Sequence, residues 1–326
     1  MYRARRRRLL LGVVVVLFLA YTAGQVLNDT GHVRMPTART RTDHRRSSMS
    51  ALTWPLQGQA ALVLGNGRPA ASPDQQPVSI ASVAKVMTAY LVLKRYALSG
   101  AQDGFTFTVT EAEVQDEAQD ASENQSRVAV AAGEQLTERQ LLEALLIPSG
   151  NNIAWILAAQ VAGSDTGFVA EMNAEARALG MDHTTYTDPS GFDPGTVSTA
   201  ADQLRVLRQA MRFAVFRQIV SMPSVTLPVA GTLTNFNLLI ADGYAGKTGS
   251  DSAAGGCLAF FTNVTVDGRQ ETAAGVVLGQ GQGSNTQAIL AAAGNAAEQL
   301  VQSAAPTSAT STPAAPGPAG APAAAG

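Results

Sequence analysis

Three short polar clusters carry residue types able to do nucleophilic chemistry, and the first is Ser82-Val83-Ala84-Lys85. A serine hydroxyl is a poor nucleophile until a base takes its proton. Lysine can be that base once desolvation or a neighbouring cation lowers its pKa, whereas arginine effectively cannot. The residue choice is informative, because lysine occurs only at Lys85, Lys94 and Lys247 while the other twenty basic residues are arginines. Apolar side chains at Val83, Val86, Met87, Tyr90, Leu91 and Leu93 recur at helical spacing and predict a buried helix to about Tyr96, with Ser82 in its first turn. Residues three apart share a face, so the Lys85 amine can lie beside the Ser82 hydroxyl, where the positive end of the helix dipole favours negative charge. Ser-x-x-Lys is a frequent coincidence, with the serine as a helix cap and the lysine solvated, so the motif needs partners.

Ser149-Gly150-Asn151 and Lys247-Thr248-Gly249 are the candidates. The first follows Pro148, between an apolar run at Leu141, Leu142, Leu145 and Leu146 and another at Ile153, Ile156, Leu157 and Ala158. It reads as a turn between two helices, or as a site where Ser149 passes a proton and Asn151 holds a substrate amide. Thr137-Glu138-Arg139-Gln140 resembles a capping box opening the earlier helix. Lys247-Thr248-Gly249 lies in strand-like Asp242 to Ser250, followed by a strand at Gly256 to Phe261, a hairpin turn at Asp267-Gly268 and a strand at Thr272 to Leu278. Elsewhere Gln59 to Leu64 reads as a strand entering a hairpin at Asn66-Gly67, and Phe105 to Val109 as a short strand. Phe168 to Leu179 reads as a helix stopped by Gly180, Asp188 to Phe192 as a loop, and Thr199 as the cap of a helix through about Met211. Gln287 to Val301 is an Ala-rich closing helix. The acids of Glu111 to Glu123 read as a solvated helix or loop and are assigned no chemistry. This order implies an α+β fold and not a regular βαβ sheet.

The chain begins with Arg3 and Arg5 to Arg8, followed by an uncharged, mostly apolar run from Leu9 to Leu27. Residues 1–27 therefore read as an export signal, either an uncleaved membrane anchor or a cleaved signal peptide, with the remainder outside the cytoplasm. Residues 28–50 are polar and arginine-rich and read as a disordered tether, and the Ala/Pro-rich residues 303–326 as a disordered tail. Residues 51–302 are left as the folded domain. The first fifty residues hold ten arginines and two aspartates, so the rest carries a net charge of −10 out of the chain's −2. That acidity argues against nucleic-acid binding. Cys257 is the only cysteine, which excludes an internal disulfide. His32 and His44 fall in the tether, leaving only His183, so a Ser-His-Asp triad and a zinc site are both disfavoured, and no metal or organic cofactor is implied.

Taken together, the three clusters stand in the order and approximate spacing of the penicillin-recognising serine enzymes. Ala81 to Tyr90, Met172-Asn173 with Ala176, Leu179-Gly180-Met181 and Ser198 to Asp202 narrow this further. They resemble the D-alanyl-D-alanine carboxypeptidase family of low-molecular-weight penicillin-binding proteins, over about Gln59 to Leu300. The resemblance implies a β-lactamase/DD-peptidase-like fold, with a helical lobe packed on a five-stranded antiparallel sheet with flanking helices. It implies that Ser82 attacks the bond between the two terminal D-alanines of a peptidoglycan stem peptide, that Lys85 is its base and that β-lactams acylate the same oxygen. Ser149 would relay a proton, Asn151 would bind the substrate backbone, and Lys247 would keep the site positive. Thr248, Gly249 and Ser250 would line the carboxylate end, and the N–H groups of Ser82 and Ser250 would form an oxyanion hole.

The chain departs from the family at Asp188-Pro189-Ser190-Gly191-Phe192, where Asn-Pro-His-Gly-Leu is common, and at Asn152, where aspartate is frequent. The family's downstream β-rich domain and terminal anchor are not expected here, which leaves attachment to residues 1–27. A class A β-lactamase shares the three clusters but needs a Glu-x-x-Leu-Asn segment about 35 residues after the second, and no glutamate stands around Thr184 to Asp188. A non-hydrolytic receptor for wall peptides on the same fold is the alternative from another class, and covalent labelling distinguishes it.

Overall fold

The Gln59–Leu64 strand (β1) is buried along its whole length, as a sheet strand covered on both faces must be. The structure is a computed structural model and describes residues 52–305; the expected signal, tether and tail lie outside the described residues, apart from the first residues of the tail. A five-stranded antiparallel sheet runs β2-β1-β11-β10-β9, with β2 at Ala70–Ala71, β9 at Ala245–Asp251, β10 at Gly255–Val266 and β11 at Arg269–Gln280, while short strands pair outside it, β3 (Val78–Ser79) with β6 (Val197–Ser198), β4 (Thr106–Thr108) with β5 (Gln135–Thr137) and β7 (Ser224–Leu227) with β8 (Gly231–Thr234). The β10–β11 hairpin closes at Asp267-Gly268, both at positive φ, as its Asp-Gly turn requires. This is the expected α+β architecture.

Period-two alternation divides the sheet between two layers. Ala61, Val63, Ala259, Val276 and Leu278 join the core of the helical lobe. Leu62, Phe260 and Val277 are buried on the other face, where the closing helix packs across β9, β10 and β11. That helix spans Thr286–Ala304 and runs past the expected boundary at residue 302, because Val301 and Ala304 are still buried.

The lobe is built around α1, Lys85–Arg95, in which every residue from Lys85 to Leu93 is buried. A helix buried all round lies at the centre of a core, and each fully covered Val, Leu or Met contributes roughly 1.5–3 kcal/mol. Around it pack α3, Glu138–Leu146; α4, Asn151–Ala162; α5, Asp165–Ala178; and α6, Ala200–Ala210. The Thr137 capping box is present in both halves, with Gln140 N donating to Thr137 Oγ1 (3.2 Å) and Thr137 N to Gln140 Oε1 (2.9 Å). Thr199 caps α6 by accepting from Asp202 N at 3.1 Å.

Two sequence expectations need correction. Ser82 lies not in an α-turn but in a 3-10 turn, Ala81–Ala84, leading into α1, and Ala81 holds a positive φ of 44°. The acidic run does form a helix, α2 at Glu111–Ser122, but Asp120 is buried against α4 and is not part of a wholly solvated face.

Candidate active site

In a 3-10 turn residues three apart eclipse, so the first motif brings its two functional groups together directly. Lys85 Nζ donates to Ser82 Oγ at 2.8 Å. The remaining ammonium donors go to Asn151 Oδ1 (2.6 Å) and the Ser190 carbonyl (2.9 Å). Since α1 is a core helix, this amine is withdrawn from water, and burial lowers its pKa from 10.5 to about 7 against the opposing pull of Asp188 and then Asp120. Ser82 itself is only half-buried, so its hydroxyl stays within reach of solvent while the Lys85 amine is withdrawn from it.

The second motif begins where Pro148 follows the end of α3. Ser149 adopts a left-handed backbone, φ 65°, and its buried Oγ has no hydrogen-bond partner among the described residues. Gly150 is the N-cap of α4 and has no side chain to close it, so the helix start is held from outside. Asn151 N donates to the Ser126 carbonyl at 2.8 Å, and Asn151 Nδ2 donates to Gln125 Oε1 at 2.5 Å. These contacts direct Asn151 Oδ1 toward Lys85.

The third motif sits on β9, an edge strand packed against the Ser82 turn. Gly249 is required there by close approach, because a Cβ would lie 2.9 Å from the Ile80 carbonyl oxygen and 3.1 Å from the main-chain nitrogens of Ser82 and Val83. Lys247 is fully buried and donates to the Thr248 carbonyl at 2.9 Å. Burial, and then the charge of Lys85, push its pKa well below the ordinary value. The two buried lysines compete for protonation, and Lys85 alone has carboxylates pulling its pKa upward. Thr248 is buried and Ser250 half-buried on the same strand. Ser82, Lys85, Asn151 and Gly249 are thus brought together by direct contact, while Lys247 joins them through its charge.

Sequence reasoning did not identify the groups that confine Lys85. The Asp188 carboxylate accepts from Ser190 N (3.1 Å), Ser190 Oγ (2.5 Å), Phe192 N (3.0 Å) and Thr196 Oγ1 (2.6 Å). Thr88 Oγ1 donates to the Pro189 carbonyl at 2.6 Å, tying this loop to α1. Gly191 has φ 81°, and a Cβ there would be 1.9 Å from the Ala81 carbonyl oxygen, so the loop presses directly on the Ser82 turn. The loop was visible as Asp-Pro-Ser-Gly, yet the carbonyl it presents to Lys85 has no sequence signature. Asp120 carried a faint signal, since Val114, Glu117 and Ala121 mark the less exposed side of α2 next to it.

The sequence model of the D-alanyl-D-alanine carboxypeptidase family matches residues 69–281, which is well over half of the chain and includes all three motifs. The D-alanyl-D-alanine carboxypeptidase DacB2 of Mycobacterium tuberculosis is 46% identical over 104 residues, covering 31% of this chain and 35% of that protein. A D-alanyl-D-alanine endopeptidase of Pseudomonas aeruginosa is 33% identical over 144 residues, covering 41% of this chain and 46% of that protein. The chain therefore spans about a third to a half of the length of these curated relatives. The solved structure of the Streptomyces K15 DD-transpeptidase superposes with a TM-score of 0.65 at 26% identity, over 78% of this chain and 99% of that one. A buried lysine hydrogen-bonded to a serine, closed in by a Ser-Gly-Asn turn and a Lys-Thr-Gly edge strand, agrees with what these similarities say, and the chain belongs to the D-alanyl-D-alanine carboxypeptidase family.

Proposed function

We propose that this chain is a serine-type D-alanyl-D-alanine carboxypeptidase that removes the terminal D-alanine of peptidoglycan stem peptides through an acyl-enzyme on Ser82, and that β-lactams acylate the same oxygen. The observation that carries this reading is the Lys85 amine, 2.8 Å from Ser82 Oγ with a pKa brought down to about 7. A lysine near neutrality can accept a serine proton at physiological pH.

The peptide would add alongside β9, an edge strand whose outer main-chain groups have no strand partner among the described residues. Thr248, Gly249 and Ser250 would receive its terminal carboxylate, and that negative charge favours protonated Lys247. A second cation in the site then favours the free-base form of Lys85. In acylation Ser82 Oγ bonds to the carbonyl carbon while its proton passes to Lys85 Nζ. Negative charge gathers on the former carbonyl oxygen, where the N–H groups of Ser82 and Ser250 would stabilise it. Collapse breaks the C–N bond, and the leaving amine receives a proton by way of the Ser149 hydroxyl; its lack of a resident partner supports that role. Asn151, already bonded to Lys85, would donate to the substrate backbone on exchanging its Gln125 contact. Water then attacks the ester carbon with Lys85 as base and returns Ser82 to its hydroxyl form.

The substrate class lies outside the cytoplasm, which agrees with reading residues 1–27 as an export segment and membrane attachment at the outer face. Incubation of the full chain with a peptide ending in D-alanyl-D-alanine is expected to release D-alanine. Intact-mass analysis after penicillin treatment is expected to give one acyl adduct mapping to Ser82, lost in Ser82→Ala. Peptide binding with neither release nor adduct would sink the proposal.

A further inference from the structure

The helix that carries the second motif has no cap of its own. Gly150 stands at its N-cap position, and the start of the helix is held by α2 and the segment after it. Asn151 N donates to the Ser126 carbonyl (2.8 Å), and Asn152 exchanges two bonds with Val128, from Val128 N to Asn152 Oδ1 (3.1 Å) and from Asn152 Nδ2 to the Val128 carbonyl (2.8 Å). The Asn152 amide itself donates to the Asp120 side chain. Asp120 is 6% exposed, and its Oδ2 has no partner among the described residues. An aspartate within a strongly acidic helix has no packing reason to be buried with half its carboxylate unsatisfied, since that arrangement costs stability.

The charged groups around it give the reason. Among the described residues, Asp116 of α2 and Glu123 just after it act on Asp120, and the cation acting on it is Lys85, from α1. Lys85 in turn is acted on by Asp188 from the loop before β6, Val197–Ser198, and by Asp120, while its own charge bears on Lys247 of β9. We propose that Asp120 is a positioning residue of the active site: a carboxylate supplied from α2 that caps α4 in trans and balances the charge of Lys85. It touches neither substrate nor the reacting oxygen, and acts by keeping Asn151 in place and by favouring the protonated state of Lys85 in the resting site. Burial with two acidic neighbours lifts Asp120 to about 6, so it is charged over the range in which Lys85, at about 7, titrates.

This rests on the reading of Lys85 as the base for Ser82, and the test separates the two. The second-order rate of Ser82 acylation by a fluorescent penicillin is measured from pH 5 to 10 for the full chain and for Asp120→Asn, which keeps an oxygen to accept from the Asn152 amide but removes the charge. Loss of a nearby negative charge lowers the pKa of Lys85, so the acid limb is expected to move down by roughly half a pH unit, about a twofold gain in rate at pH 6.5. Thermal stability supplies a readout that a merely structural role would move the other way. A carboxyl whose folded pKa exceeds its unfolded value destabilises the fold above about pH 6, and this cost disappears below its unfolded pKa near 4, so Asp120→Asn should melt no lower than the parent at pH 8. If Asp120→Asn does not fold, Asp120→Ser, a shorter uncharged acceptor, is read in the same way. An acid limb that stays within about 0.1 unit of the parent in a folded variant overturns the proposal while leaving the base assignment intact. A parent chain with no acid limb, or none labelled at Ser82, overturns the base assignment itself.

Discussion

If Lys85 is the base for Ser82, the rate of acylation must follow the fraction of Lys85 in its free-base form, and burial determines that fraction. With a pKa of about 7, half of the lysine is neutral at pH 7; at its ordinary 10.5 only about three in ten thousand would be, so burial supplies roughly a thousandfold, or about 5 kcal/mol, as an order of magnitude. The largest cause is desolvation by the core helix, which outweighs the attraction of Asp188 and Asp120. The acylation rate constant for a fluorescent penicillin is therefore expected to rise about tenfold per pH unit below pH 7 and to level off above it. Lys85→Arg should remove this limb and lower acylation at least about a thousandfold throughout, because a guanidinium cannot become a neutral base at these pH values. A parent midpoint near 10, or a rate flat from pH 5 to 9, would refute the argument, since the amine would then be either fully solvated or not involved.

Other substitutions separate the scaffold from the chemistry. Gly191→Ala puts a methyl group against the Ala81 carbonyl at a backbone φ of 81°, and a melting curve should show a loss on the order of 2–4 kcal/mol, together with slower acylation as the nucleophile turn shifts. Asp188→Ala takes the carboxylate away from four donors, although Phe192 N keeps Ser190 Oγ at 3.2 Å, and should cost about 3–5 kcal/mol in a denaturant titration; a loss under 1 kcal/mol would mean the loop is held by other contacts. Ser149→Ala should leave the melting temperature nearly unchanged, because the hydroxyl is buried without a partner among the described residues, while D-alanine release falls about a hundredfold or more. Equal release by Ser149→Ala would exclude it from the proton path. Gly249→Ala should slow acylation more than it lowers stability, because its Cβ meets the main chain on either side of Ser82.

Chain order and local pattern were enough to determine much of this protein. The helical spacing from Val83 to Leu93, the Thr137 and Thr199 caps, the Asp267-Gly268 turn and the three polar clusters are each properties of residues within a few positions of one another. Such signals survive in a sequence because a turn, a cap or an amphipathic face depends on its immediate neighbours. They gave the α+β class, the family resemblance and the candidate site residues. Local pattern also misled, since Ser82 was expected in an α-turn and Asp120 on a solvated face. The reason in each case is tertiary: Gly249 and the Asp188 loop both press on the Ser82 turn, and α4 covers Asp120.

What only the tertiary structure decided is the environment that gives these residue types their chemistry. Lys85 meets Asn151, 66 positions away, and the Ser190 carbonyl, 105 positions away, and neither distance can be read from periodicity. A lysine's basicity depends on how much water and which charges lie within a few ångströms, and those come from α2, α4, β9 and the Asp188 loop together. The same Ser-x-x-Lys on an exposed helix would have an ordinary lysine and an inert hydroxyl.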